Sequence, residues 1–166
     1  MCGGRLARAG SQRGDHVGRS PVDRGRPGSK HYLIVEANGS PLQVSLRGGT
    51  RNDVTQLLPL VDSIPPIRGL RGRPRRKPRE LFADRGYDHT KYRRLLRARG
   101  ISPRIDRRGV AHGSGLGRDR GVVERGSAWL HSYMRLRTPW ERRADLHLGL
   151  LQLASVLICY QRLTAL

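Results

Sequence analysis

Thirteen carboxylates against 33 Lys and Arg give this 166-residue chain a formal net charge of +20, so each acid is a candidate for a specific task. Asp84 stands out first, in the run Leu81-Phe82-Ala83-Asp84-Arg85-Gly86-Tyr87-Asp88. The run reads as a short buried strand that delivers a carboxylate at its C-terminal end and turns sharply at Gly86. In so cationic a protein, a carboxylate there suits a divalent ion held where a polyanion binds. Two-metal phosphoryl transfer needs several carboxylates converging on two ions, one activating the attacking oxygen and the other stabilising the leaving oxygen. Magnesium suits such a site because it is hard, takes few protein ligands and accepts phosphate oxygens as the rest. The plainer reading of Asp84 is a turn-forming residue bonded to its own backbone; both stay open. Asp88 reads as the N-cap of the following helix rather than a ligand.

Glu124 is the second candidate. On a helix of about 119–136, Arg120, Glu124, Ala128 and His131 share one face at helical spacing, while Val122, Val123, Trp129, Leu130, Tyr133 and Leu136 cover the other side. A carboxylate between two potentially cationic groups suits a metal beside phosphate. Its plainer reading is an Arg120–Glu124 surface pair worth about 0.2–0.5 kcal/mol. The segment Arg68–Arg79 holds seven basic residues and two prolines in twelve positions, including Arg71, Arg73, Arg75, Arg76 and Lys77. It reads as an exposed loop, either a solvated insertion or a contact to phosphates with steep salt dependence and little sequence preference.

The elements that must position these residues follow from pattern. His31–Glu36 and Pro41–Leu46 read as strands joined by a hairpin turn with the Asn38-Gly39 signal. Asn52 or Asp53 can cap a helix to about Asp62, which Pro65 and Pro66 end. The Asp84 strand, a helix over about 89–99 and a strand near Ser102–Ile105 come next. A Gly-rich loop, His112 to Gly117, leads into the Glu124 helix. Pro139 breaks it, and a last helix of about 141–163 carries Leu146, Leu150, Leu153 and Leu157 at helical spacing, a stripe read as core rather than as a partner groove. Residues 1–29 are Gly/Arg/Ser/Pro-rich without periodicity and read as loop or disordered, leaving 30–166 as one α/β domain with a mixed sheet.

Composition narrows the partners. The charge predicts association with nucleic acid, although Lys30, Lys77 and Lys91 are the only lysines among the 33 bases, as a GC-rich coding sequence would also produce. Cys2 and Cys159 form no disulfide framework. The apolar run Leu148–Ile158 is shorter than the ~20 residues that span a bilayer, and no signal peptide is visible, so the expectation is a cytoplasmic protein without membrane contact. The six histidines lack metal-ligand spacing. His112-Gly-Ser-Gly-Leu-Gly lacks the Lys-Ser/Thr of a P-loop and reads as a hinge.

Taken together, Ala83-Asp84-Arg85-Gly86-Tyr87-Asp88, His112-Gly-Ser-Gly-Leu-Gly-Arg118 and Val122-Val123-Glu124-Arg125 with Ala128-Trp129-Leu130-His131 resemble the DDE transposases of bacterial insertion sequences. Gly28-Ser29-Lys30-His31, Gly49-Thr-Arg51-Asn52-Asp53-Val54 and Glu141-Arg142-Arg143-Ala144-Asp145 resemble the same group, from about residue 14 onward. The resemblance implies an RNase H-like fold in which three acids bind two Mg²⁺ (or Mn²⁺) and cut and join double-stranded DNA at insertion-sequence ends. It makes Asp84 the second acid and Glu124 the third, with Arg120 and His131 flanking. It also implies a nucleoid setting and a homodimer, or pairing with full-length transposase. The first acid should fall at or before about Gly3, yet no Asp or Glu precedes Asp15, and Asp15 and Asp23 come too late. The expectation is a chain whose first strand is missing or damaged. Gly121 and Gly126 stand where the family has larger residues, each costing about 1 kcal/mol in a helix interior, and Ser127 replaces an aromatic. A chain that is catalytically dead or very weak is expected, with a non-catalytic basic DNA-binding remnant that interferes with full-length transposase as the alternative.

Overall fold

Alternation along the strands builds the fold. In the computed structural model, which describes residues 2–9, 18–19, 27–69, 71–109, 117–137 and 143–164, the strands are β1 (Cys2–Ala9), β2 (Gly18–Arg19), β3 (Pro27–Val35), β4 (Pro41–Gly48), β5 (Glu80–Ala83) and β6 (Ser102–Ile105). They form one mixed sheet in the order β2-β3-β1-β5-β6, with β4 also paired to β3. β1 runs antiparallel to β3 and parallel to β5, and β5 runs parallel to β6. The helices are α1 (Leu57–Asp62), α2 (Thr90–Ala98), α3 (Gly117–Ser132), α4 (Met134–Arg137) and α5 (Ala144–Thr164). This is the α/β, RNase H-like arrangement of a mixed sheet flanked by helices.

Successive strand residues point to opposite faces, and the two hydrophobic clusters follow that parity. Tyr32 and Ile34 of β3, with Leu81 and Ala83 of β5, pack under α1 and α2. Leu33 and Val35, with Val44 and Leu46, pack under α3, α4 and α5, where Phe82 joins them. The motif residues before the hairpin are interlocked on the α1 face. Lys30 Nζ donates to Asp53 Oδ1 (3.0 Å) and to the Arg51 carbonyl (3.1 Å), and the Tyr32 hydroxyl donates to the same Asp53 oxygen (2.8 Å). Asn52 is the cap, accepting from the Val54 N–H at 3.3 Å. On the other face His31 and His147 meet with Nε2 atoms 2.9 Å apart, fastening β3 to α5.

Several expectations change. Residues 2–9 and 18–19 are strand rather than loop, and β1 is a central strand of the sheet. The reading failed because glycines and arginines carry no alternation, while pairing on both sides needs only backbone groups. The helix expected to about 136 stops at Ser132 and restarts as α4. Leu146, Leu153 and Leu157 of α5 are exposed; its buried side is Ala144, His147, Leu151, Ala154 and Ile158. α5 also outruns the apolar stretch counted in the sequence, because Leu146 and His147 before it and Cys159, Tyr160 and Gln161 after it continue the helix without charge. By length and composition alone it is the one helix among the described residues long enough to cross a membrane. The His112–Gly117 hinge up to residue 116, the Pro139 break, Asp15 and Asp23 lie outside the described residues.

The two glycines of α3 differ. At Gly126 a Cβ would lie 2.7 Å from Val35 Cγ1 and 2.9 Å from the Gly39 carbonyl oxygen, so this glycine permits the close approach of α3 to the hairpin. At Gly121 a Cβ meets nothing within 4 Å. The helix-interior penalty therefore applies to Gly121 alone. Thermal unfolding should show Gly121→Ala stabilising by about 0.5–1 kcal/mol, and Gly126→Ala destabilising by about 1–3 kcal/mol through overpacking. Equal shifts of the same sign would contradict the assignment.

Candidate active site and nucleic-acid surface

Asp84 continues β5 by one extended residue (φ −71°, ψ 172°). Leu81 and Ala83 point into the α1/α2 core and Phe82 into the α3/α5 core, so the pleat directs Asp84 to the α3 side. The side chain is exposed, and its Oδ1 accepts the Gly86 N–H at 2.8 Å, capping the 3₁₀ turn Arg85–Tyr87. Asp84 is thus a turn-forming residue bonded to its own backbone, and its carboxylate stands exposed at the sheet end. A Cβ at Gly86 would lie 2.9 Å from that Oδ1, so glycine keeps the carboxylate where it is.

The turn is held from behind by residues the sequence reading gave other roles or passed over. Asp88 is not the helix cap; His89 occupies that position, without a side-chain bond. Asp88 instead accepts Arg93 Nε (2.7 Å) and the Arg108 backbone N–H (2.9 Å). Arg93 also donates to the Ile105 carbonyl (2.6 Å). Arg108 reaches back to the carbonyls of Arg85 (3.2 Å) and Gly86 (3.1 Å). The Arg108 N–H, followed by the Arg93 guanidinium, holds the Asp88 carboxyl below the usual carboxylate range although desolvation opposes it. The signal available in sequence was the Asp88/Arg93 spacing of five, which is not a helical face; the pair forms because Asp88 lies before the helix.

The strand pairing locates the neighbour of Asp84. Cys2 is level with Phe82 and Gly3 with Ala83, so one more step brings Gly4 level with Asp84. On its other side Gly4 pairs with Leu33, whose side chain packs into the α3/α5 cluster. Gly4 therefore occupies the strand position that faces α3 beside Asp84, one residue later than counted from sequence. It offers no donor.

Glu124 is exposed on α3, which packs on β1 and β3. Among the described residues its carboxylate has no hydrogen bond or ion pair. His131 is half-buried on the same helix, and the Arg120 side chain lies outside the described residues. Val122, Val123, Trp129, Leu130, Tyr133 and Leu136 pack as expected into the α3/α5 cluster. Among the described residues no group of three or more His, Cys, Asp or Glu is arranged to hold a metal. The described residues, with Gly4 beside Asp84, therefore do not fit a two-ion site built on three acids.

The basic residues of the segment are all exposed, including Arg71, Arg73, Arg75, Arg76 and Lys77. An Ile67–Arg75 backbone bridge (2.8 Å both ways) pinches its base. Together with Ile64 and Ile67 the segment lines an open cavity of about 420 Å³. Cations ringing a concavity present a surface for phosphate.

Residues 6–159 match the transposase DDE domain family. Over 147 residues the chain is 58% identical to a Burkholderia cepacia protein described as the transposase for insertion sequence element IS402, covering 89% of this chain and 70% of that one.

The Asp88 clamp has a pH signature. Its depressed carboxyl contributes stability above the ordinary carboxylate value of about 4, and loses it as pH falls through the lower folded value. Asp88→Asn should lower stability by about 1–3 kcal/mol at neutral pH. In melts across acid pH the gap between the two proteins should close below pH ~4; a gap unchanged down to acid unfolding would contradict the clamp.

Proposed function

Because this chain belongs to the DDE transposases of bacterial insertion sequences, whose work is DNA transposition at insertion-sequence ends with divalent metal ions, we propose that Asp84 and Glu124 hold the positions of the family's second and third acids, and that Gly4 holds the first. The observation that carries this reading is the strand register, in which Gly4 and Asp84 are level and on the α3 side. The ions in question are Mg²⁺ or Mn²⁺. With one carboxylate absent, the domain engages DNA ends in the cytoplasm, at the nucleoid, but does not cut them alone.

The Arg71, Arg73, Arg75, Arg76 and Lys77 segment supplies the DNA contact in this reading, with Arg120 and His131 flanking Glu124. Its exposure and charge support that role. A chain that holds ends without cutting them also favours a second reading, a non-catalytic DNA binder that competes with intact transposase for the same ends.

The test separates binding from chemistry. A duplex carrying an insertion-sequence end should be bound with steep salt dependence. Joint Arg75→Glu, Arg76→Glu and Lys77→Glu should flatten the log–log salt slope by about 2.7; an unchanged slope removes the segment from the interface. Incubation with Mg²⁺ or Mn²⁺ should give no cleavage by the unaltered chain. Gly4→Asp should give metal-dependent nicking that Asp84→Ala in the same background abolishes. Cleavage by the unaltered chain that depends on Asp84 would overturn the assignment of Gly4.

A further inference from the structure

The buried polar contact between β3 and α5 is made by two rings that each take up protons near neutral pH. His31 is 7% exposed and His147 2%, with ring centroids 4.9 Å apart. Their Nε2 atoms lie 2.9 Å apart, so one ring presents an N–H there and the other a bare lone pair. That arrangement tolerates one added proton, on the far nitrogen of the donor ring. It does not tolerate two. A second proton sets N–H against N–H, and cation against cation, on the apolar α3/α5 side of the sheet.

The surroundings oppose the double charge. Leu46 stands level with His31 on β4 and shares a cluster with Leu33, Leu136 and Leu151. His147 is the fourth residue of α5, where the positive end of the helix disfavours a cation. At the start of α5, Arg143 and Asp145 pair with each other in solvent at 2.6 Å. Lys30 and Arg47 point to the opposite face, toward Asp53 and Gln56. The helices packed beside α5 carry exposed Glu124, Arg125 and Arg135 and half-buried His131. On β1, Arg8 is level with Ser29, two residues along β3 from His31.

We propose that the His31–His147 pair is a proton-operated latch, which holds the first turns of α5 on the sheet and releases them when it takes up a second proton. The far end of α5 stays fastened. There Arg162 lies 4.7 Å over the Trp129 ring and donates to the Asn38 carbonyl (3.3 Å), and Cys159 donates to the Pro41 carbonyl (3.4 Å). Burial raises the Cys159 thiol, so neither tie changes charge in acid. Opening therefore pivots about the hairpin end and uncovers Leu151 beside α3, the helix that carries Glu124.

The test is ¹⁵N-histidine NMR combined with amide hydrogen exchange on the full chain. At pH ~7.5 one ring should carry its proton on Nε2, and the other should be the neutral Nδ1–H tautomer; His147→Gln assigns the signals. Between pH ~7 and ~5 both rings should become doubly protonated. Over the same interval amides 147–151 should lose protection about tenfold relative to amides 94–98 of α2. The Asp88 clamp opens only below pH ~4, outside this window. His147→Gln keeps a donor and acceptor but takes up no proton, so its α5 protection should follow α2 throughout. If that variant fails to fold, the unaltered chain alone decides. Two rings in the same neutral tautomer, or two already cationic at pH ~7.5, overturn the proposal. So does α5 protection in the unaltered chain that follows α2 down to pH ~5, or a loss of protection that persists in folded His147→Gln.

Discussion

The two-sided pairing of β1 is the constraint on which the rest of the molecule depends. On one side β1 zips antiparallel to β3 from Cys2–Val35 to Ala9–Gly28; on the other it meets β5 in parallel. Remove it, and the β3–β4 hairpin and the β5–β6 pair lose their common frame. Parity travels through these ladders, since a shift of one residue would exchange every inward and outward side chain. The same register that separates Tyr32 and Ile34 from Leu33 and Val35 also decides that Asp84 and Gly4 look toward α3.

The two conspicuous acids are supported by different machinery. Asp84 depends on a local apparatus made by β5, α2 and the strand end of β6, through Asp88, Arg93 and Arg108. Glu124 rides a helix whose height over the sheet is set at Gly126, where backbone touches the Gly39 turn, and at Trp129, which packs on the same glycine. Gly39 has φ +95°, and Glu36 fastens the turn by accepting the N–H groups of Asn38 and Ser40. Burial works to raise the Glu36 pKa, and those N–H groups outweigh it, keeping the carboxyl ionised.

How much of this was legible in the sequence follows element type. The hairpin, the Asp84 strand, α2 and β6 were read closely, because β-branched and leucine-rich alternation and the Asn-Gly signal report directly on local geometry. β1 was not, since its place comes from pairing with distant strands, and Gly-Gly-Arg gives no pattern. The wrong stripe of α5 was assigned to the core because apolar residues occupy both sides, and periodicity cannot say which side meets the sheet. Asp88 was misread for want of knowing that Arg108 returns to it. Gly126 resembled loss where it is fit, a distinction that only the distance to Val35 and Gly39 reveals.

Seen from β1, tolerance is divided unequally. The ladder asks of this strand only N–H and C=O groups, which every residue from Cys2 to Ala9 supplies because none is proline. Its letters can therefore be rewritten wholesale while the architecture persists. Chemistry has no such latitude, since it reads one side chain at one rung. A substitution on a central rung of the sheet can thus change what the strand offers chemically while leaving its pairing intact.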